Sequence, residues 1–347
     1  MRRETGSELW ARRARCAGFV LAVLVFGGCA TEGDYFFLER NGAVMPIWVR
    51  GNVDSGTFIF VVHGGPVMGA QWYLQAESFK ALEKRYAVVY WDQRACGTSQ
   101  GSPPEWSFTT DELVKDMDAA VALLRARFSP RRLFVFGHSW GGFLGTAWLV
   151  DPAHQQGVDG YLMVAGAYDL PHRLEAFRQM ILEYAEAKLA VGVDPEKWQE
   201  ARDWASAMPV KLAADWSDQE SESLRKYTEW LIDPRYEPPL DYSQLLSSSM
   251  DAPAFFRNAG SMNSTYGTLV DRPDLTADMA GIHVPTLITW GRHDLNVPVL
   301  VAQKAYDAMG TAPADKKLVL FEESGHYPFW NEASQWLDVT TAFIDQH

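Results

Sequence analysis

Cysteine is scarce: Cys16, Cys29 and Cys96 are the only three in 347 residues. The first two fall in or beside an N-terminal segment that reads as a targeting signal, leaving Cys96 alone in the body. That excludes a disulfide framework and a cysteine-based zinc cluster. The eight histidines lack ligand-type spacing, so metal-dependent hydrolysis is not expected. Positive charge is short as well, with 31 Lys and Arg against 44 Asp and Glu and a net charge of −13, which makes nucleic acid a poor partner. The N-terminal apolar run, residues 16–28, would rise about 20 Å as a helix, short of the ~30 Å hydrocarbon core, so a secretory apolar region fits better than a permanent span there. Repeats, low-complexity tracts and long linkers are also missing. A content of 47% hydrophobic and 22% charged residues is that of a globular chain, long enough for one large core and an accessory lobe.

Arg2, Arg3, Arg12, Arg13 and Arg15 precede the apolar run, the arrangement of a secretory signal over residues 1–28. Phe26-Gly27-Gly28-Cys29-Ala30 resembles the bacterial lipobox, with Phe26 at the position where Leu is usual. The resemblance implies lipidation of Cys29, membrane attachment through the N-terminus and a place in the bacterial cell envelope, facing the periplasm or exterior. Cleavage after Ala30 and secretion of a soluble protein is the alternative. Removal of residues 1–28 would leave 26 basic and 42 acidic residues, a net −16. Residues 29–42 read as a tether.

Downstream, short β-rich runs alternate with helical ones. Strands are expected at 45–49, 57–62, 87–91, 133–136, 160–164, 286–290 and 317–321, and helices at 111–128, 299–309 and 333–345. The runs at 87–91 and 133–136 are continuously apolar, as in strands covered on both faces, so a mostly parallel sheet flanked by helices follows. In the helix at 111–128, Leu113, Met117, Val121 and Leu124 share one face, and Thr109 or Thr110 is placed to cap it. Residues 172–278 differ. They are Trp-rich, with Trp198, Trp204, Trp216 and Trp230, and acidic, with 19 acidic against 11 basic residues and breaks at Pro209, Pro234, Pro238 and Pro239. This region reads as a helical cap inserted between a first core segment, 43–171, and a second, 279–347.

Gly137-His138-Ser139-Trp140-Gly141 lies between the apolar strand 133–136 and a helix-compatible run. Glycines flanking a serine at a sharp strand-to-helix turn resemble the nucleophile elbow of the α/β hydrolases. A serine that merely caps the following helix is the plainer alternative. A serine hydroxyl is a weak nucleophile and needs a base within hydrogen-bond reach, and the base needs a carboxylate to set its tautomer. The order Ser, acid, His implied by the resemblance puts the acid at Asp294, in Gly291-Arg292-His293-Asp294 after the strand 286–290. It puts the base at His326, after Gly325 and the strand 317–321. Asp169 is a competing acid and His293 a competing base, and Asp294 could instead cap the helix beyond Pro298. His63-Gly64-Gly65-Pro66 follows the strand 57–62, so the backbone amides of Gly65 and Trp140 are the expected oxyanion donors, with His63 holding the loop.

Together with Trp91-Asp92-Gln93-Arg94-Ala95-Cys96-Gly97-Thr98-Ser99, these motifs resemble the proline iminopeptidase branch of the α/β hydrolases. The resemblance spans residues 43–347, strongly in the core and weakly in the cap. It implies the α/β-hydrolase fold with an eight-stranded, mostly parallel sheet and an inserted helical cap. It also implies removal of an N-terminal proline or similar small residue from short peptides, with no metal or organic cofactor. Val67 follows the H-G-G-P where the family has a further glycine, and Glu229-Trp230 is the reverse of the family's Trp-Glu pair. A charged amine calls for nearby carboxylates, and Glu183, Glu186, Glu222 and Glu229 are the candidates in the cap. A carboxylesterase or other acyl hydrolase built on the same residues is the second reading.

Overall fold

In a computed structural model, residues 34–65, 69–209, 215–236, 258 and 274–347 are described. The expected signal, Cys29 and the loop residues Pro66 and Val67 lie outside them, as do cap residues 210–214, 237–257 and 259–273. Nine strands form one sheet: β1 (Asp34–Arg40), β2 (Ala43–Gly51), β3 (Thr57–Val62), β4 (Ala87–Trp91), β5 (Gln100–Gly101), β6 (Arg132–His138), β7 (Gly160–Val164), β8 (Thr286–Gly291) and β9 (Lys316–Phe321). Their order is β1-β2-β4-β3-β6-β7-β8-β9, with β5 paired to β2. From β4 to β9 every pairing is parallel, whereas β1, β2 and β5 pair antiparallel.

The sheet corrects two expectations. The stretch 29–42, read as a tether, contains strand β1, which a two-residue Asn41-Gly42 turn with both φ positive (47° and 76°) folds back onto β2. The two-residue β5 raises the eight expected strands to nine among the described residues. The central strands behave as their sequences require. In β3, residues Phe58 to Val62 are at most 1% exposed, and each such side chain contributes about 1.5–3 kcal/mol by leaving water.

Helices cover the sheet: α1 (Glu77–Glu83), α2 (Thr110–Phe128), α3 (Trp140–Leu149), α7 (Leu300–Ala308), α8 (Pro328–Asn331) and α9 (Ala333–Gln346). Thr109 is the cap of α2, its side chain accepting from the Glu112 amide at 3.3 Å. Between β7 and β8 stand α4 (Arg173–Ala190), α5 (Pro195–Ala207) and α6 (Asp218–Glu229), the described part of the cap. Phe177, Met180, Ile181, Trp198, Trp216, Leu224 and Tyr227 bury one another in a cluster separate from the main core. The cap tryptophans are therefore packing residues, with Trp198 and Trp230 edge to face at 6.2 Å. The chain leaves the core at Asp169 and returns at Asp274, where the two pair as an antiparallel bridge, five residues before the expected return at 279. Among the described residues no helix is long and apolar enough to cross a membrane.

Candidate active site

Parallel strands β3, β4, β6, β8 and β9 all end on one edge of the sheet, and each is followed there by one of the sequence motifs. After β6 the backbone turns so sharply into α3 that Ser139 adopts φ 56° and ψ −120°. A non-glycine residue held there costs on the order of 1–3 kcal/mol and persists only where its surroundings over-determine it. Here the Ser139 amide donates to Val164 O at 3.0 Å, and Ser139 O accepts from the Gly142 and Ala167 amides at 2.9 and 3.0 Å. The turn also presses on β3: a Cβ at Gly141 would stand 1.9 Å from Val62 O, so no other residue fits. The Ser139 side chain makes no capping hydrogen bond to α3, which removes the capping-serine alternative.

The structure brings His326 and Asp294 together. His326 Nδ1 lies 2.8 Å from Asp294 Oδ2, with both side chains at most 5% exposed. Asp294 Oδ1 accepts from the Asn296 and Val297 amides, each at 2.8 Å, so the carboxylate is oriented by its own loop. Asp169 is engaged elsewhere. Its carboxylate meets His172 Nδ1 at 2.7 Å and Lys304 Nζ at 2.5 Å, across from Asp274 at the cap's two crossings. Asp169, His172 and Asp274 bring ligand-type atoms within 4.8 Å of one another, a proximity that sequence spacing did not reveal. The Lys304 ammonium already supplies the cation for Asp169.

His293 is a contact between cap and core. Its Nδ1 bonds the Tyr184 hydroxyl from α4, and its ring stacks on Tyr236 at 4.1 Å with 3° between planes. The same Tyr236 lies so close to Gly325 that a Cβ there would approach its carbonyl to 2.7 Å. The cap thus rests on the residues immediately before Asp294 and His326.

The loop after β3 is fixed by side chains from three directions. His63 Nδ1 donates to Gly64 O at 2.7 Å, and its Nε2 accepts from the Gln93 amide at 3.1 Å. Burial pushes the His63 imidazole down to about 4, so it is neutral in this role. Gln93 Nε2 donates to His63 O at 3.0 Å, and Gln93 Oε1 accepts from the Trp140 indole at 3.0 Å. The Gly65 amide, at φ 128°, has no acceptor among the described residues. The Asp-Gln-Arg block therefore builds the floor of the site. Asp92 accepts from the Ala70 and Thr98 amides, both at 2.6 Å, while burial pushes its carboxyl up to about 6. Arg94, fully buried, makes two bonds to Asp116 of α2, at 2.5 and 2.7 Å. Asn258, from the region read as cap, donates to Gly97 O and Ser99 O at 3.2 and 2.8 Å. Tyr73, Asp116 and Asn258 support the site without belonging to any motif, so no local pattern marked them.

The four cap carboxylates are not gathered in the same way. Glu183, exposed on α4, lies within electrostatic reach of Arg292, two residues before Asp294. Glu186, on the same helix, and Glu222, on α6, are exposed, and Glu229 on α6 faces Arg225 at 3.8 Å. Only Glu183 is tied to the site by a described interaction.

Comparison with known proteins agrees with this architecture. A sequence profile described as the alpha/beta hydrolase fold matches residues 57–333. The proline iminopeptidase of Saccharolobus solfataricus is 24% identical over 294 residues, covering 84% of this chain and 86% of that protein. Among solved structures, the proline iminopeptidase of Mycobacterium smegmatis superposes with a TM-score of 0.56 at 20% identity, covering 90% of this chain and 98% of that one. An esterase from Exiguobacterium antarcticum superposes with a TM-score of 0.56 at 16% identity, covering 90% and 99%. The chain belongs to the α/β-hydrolase fold family and, within it, is similar to the proline iminopeptidases.

Proposed function

We propose that the protein is a serine hydrolase that works through an acyl-enzyme, and that its substrates are short peptides from which it releases an N-terminal proline or small residue. The observation that carries this reading is the 2.8 Å pair of His326 and Asp294 on the sheet edge that also presents Ser139 in a strained turn. Ser139 Oγ attacks the substrate carbonyl while His326 Nε2 takes its proton, and Asp294 stabilises the resulting imidazolium. The Gly65 and Trp140 amides receive the charge that develops on oxygen, an interaction of several kcal/mol in a water-poor site. His326 then protonates the leaving amine, and a water activated by the same histidine releases the acid. The cap restricts the site to small substrates, so casein is expected to resist digestion.

The peptidase assignment rests on similarity to proline iminopeptidases and on an acidic cap suited to a substrate amine. A second reading, a carboxylesterase, is favoured by Val67 after the H-G-G-P and by the four candidate cap glutamates, of which only Glu183 is tied to the site. Hydrolysis of proline-β-naphthylamide beside p-nitrophenyl acetate and butyrate, with a Ser139→Ala control, separates them. Amide cleavage at rates comparable to the esters supports the peptidase; ester cleavage alone supports the esterase.

The lipobox-like Phe26-Gly27-Gly28-Cys29 supports attachment to the cell envelope through lipidated Cys29. Cys29→Ser is expected to move the protein out of the membrane fraction, and a variant that stays bound as wild type removes this part of the proposal.

A further inference from the structure

His138, the residue between Gly137 and Ser139, is 3% exposed and has no part in the acyl transfer described above. Its Nε2 lies 3.0 Å from the backbone carbonyl of His326 and its Nδ1 lies 2.9 Å from the Tyr73 hydroxyl. That hydroxyl stands 3.0 Å from the Gly64 amide nitrogen. The direction of each bond follows from the chemistry of its atoms. A carbonyl only accepts, so His138 Nε2 carries a hydrogen. Burial, and then the neighbouring His326, holds the His138 imidazole well below its ordinary range and therefore neutral, which leaves Nδ1 bare. Tyr73 must then donate to Nδ1, and its oxygen accepts from Gly64 N–H. Burial raises the Tyr73 phenol, so it keeps its proton.

We propose that Tyr73 and His138 are positioning residues, a buried relay that sets the oxyanion loop and the backbone of the base by one continuous chain of hydrogen bonds. The proposal rests on the reading of Ser139, His326 and Gly65 given above. At one end, Tyr73 fixes the peptide that carries Gly64 N–H, and His63 fixes Gly64 O at 2.7 Å. Because C=O and N–H of one planar trans peptide point in opposite directions, holding Gly64 O aims Gly65 N–H away from His63. At the other end, the loop carrying His326 arrives from β9, three strands from β6 in the sheet order, and His138 bridges that separation. A neutral His138 also matters for charge. The two imidazole rings are 4.6 Å apart, and His326 becomes positive in the transition state, so a protonated His138 would oppose it.

The test uses the full chain with Tyr73→Phe, His138→Met, the double variant, and His138→Gln, whose amide offers an N–H to His326 and an oxygen to Tyr73. The readouts are kcat and KM for p-nitrophenyl butyrate and the rate at which a fluorophosphonate labels Ser139. Oxyanion donor and base act in the transition state, so each single variant is expected to lower kcat and labelling rate by about 10- to 100-fold with KM within about 2-fold. The double variant is expected to lose no more than about 3-fold beyond the worse single one, as members of one unit do, and His138→Gln to recover to within about 5-fold of wild type. The relay is overturned if both single variants keep kcat within about 2-fold of wild type, if the loss appears in KM alone, or if the two losses multiply and Gln restores nothing. Should His138→Met fail to fold, Tyr73→Phe decides by the same criteria. Absence of label on wild-type Ser139 would sink the hydrolase reading itself, whereas a labelled wild type with undisturbed variants sinks only the relay.

Discussion

Replacing Asp294 by Asn isolates the chemistry of the acid from its structural duty. Asp294 Oδ1 receives two backbone amides at 2.8 Å and Oδ2 receives His326 Nδ1 at 2.8 Å. Asn has the same shape but only one acceptor oxygen. With that oxygen on the two amides, its NH2 faces Nδ1, so His326 must bare Nδ1 and carry its hydrogen on Nε2. That nitrogen then cannot take the proton of Ser139. Turning the amide over would restore the tautomer but leave the buried Val297 N–H and the part-buried Asn296 N–H facing NH2, at up to about 1–3 kcal/mol each. The wrong tautomer is therefore favoured by up to about 2–6 kcal/mol, and kcat should fall by about 10⁴. The assay is turnover of p-nitrophenyl butyrate alongside thermal melting. Asp294→Asn should melt within a few degrees of wild type, while Asp294→Ala, which orphans both amides, should melt several degrees lower, at about 2–4 °C per kcal/mol. Turnover of Asp294→Asn within about 10-fold of wild type would falsify the assignment of Asp294 as the orienting acid.

Further outcomes follow from the supporting residues. His63 has its pKa lowered to about 4 in the folded state, so below its ordinary value of 6.5 the unfolded chain takes up a proton that the native one refuses. Its contribution, roughly 3 kcal/mol, is complete above pH 6.5 and lost as pH falls toward 4. Asp92, raised to about 6, has the opposite slope between about 4 and 6 and offsets part of it. Urea midpoints across pH 4–7 should rise less, or fall more, with pH in His63→Gln than in wild type, and an unchanged slope contradicts the account. Asp116→Leu takes its carboxylate partner from the fully buried Arg94 and should cost about 3–5 kcal/mol of stability; a urea midpoint within error of wild type would show the pair to be dispensable. Gly141→Ala sets a methyl 1.9 Å from Val62 O, and it should yield little folded protein in expression trials, with normal yield and activity as the contrary result.

Much of this site is written locally. An apolar strand, a glycine-flanked serine and a helix must occur together wherever a strand ends in so tight a turn, and Asp294 and His326 follow short runs rich in β-branched and apolar residues, itself a local signal of a strand. Those residues could be named before any coordinates because each depends mainly on its immediate neighbours. Strand β1 was missed although Asn41-Gly42 is a hairpin signal, because Asp34, Glu39 and Arg40 at a half-buried sheet edge dilute the alternation of burial.

What the chain alone could not decide are the choices among equals. Asp169 and Asp294 both follow a core strand, and only the fold places one on His326 and the other on His172 and Lys304. The Asp-Gln-Arg block stood out as a motif, but that it braces the oxyanion loop and α2 emerges only when β3, β4 and β6 lie side by side. Tyr73 bears no motif at all. Its importance comes from hydrogen bonds to Gly64 and to His138, 65 residues away, and partners so distant in sequence share no local propensity that either could advertise. The sequence by itself pointed to the candidate groups for chemistry, since that depends on residue type and adjacent backbone. Only tertiary structure decided which groups hold them in place, since that depends on distance in space.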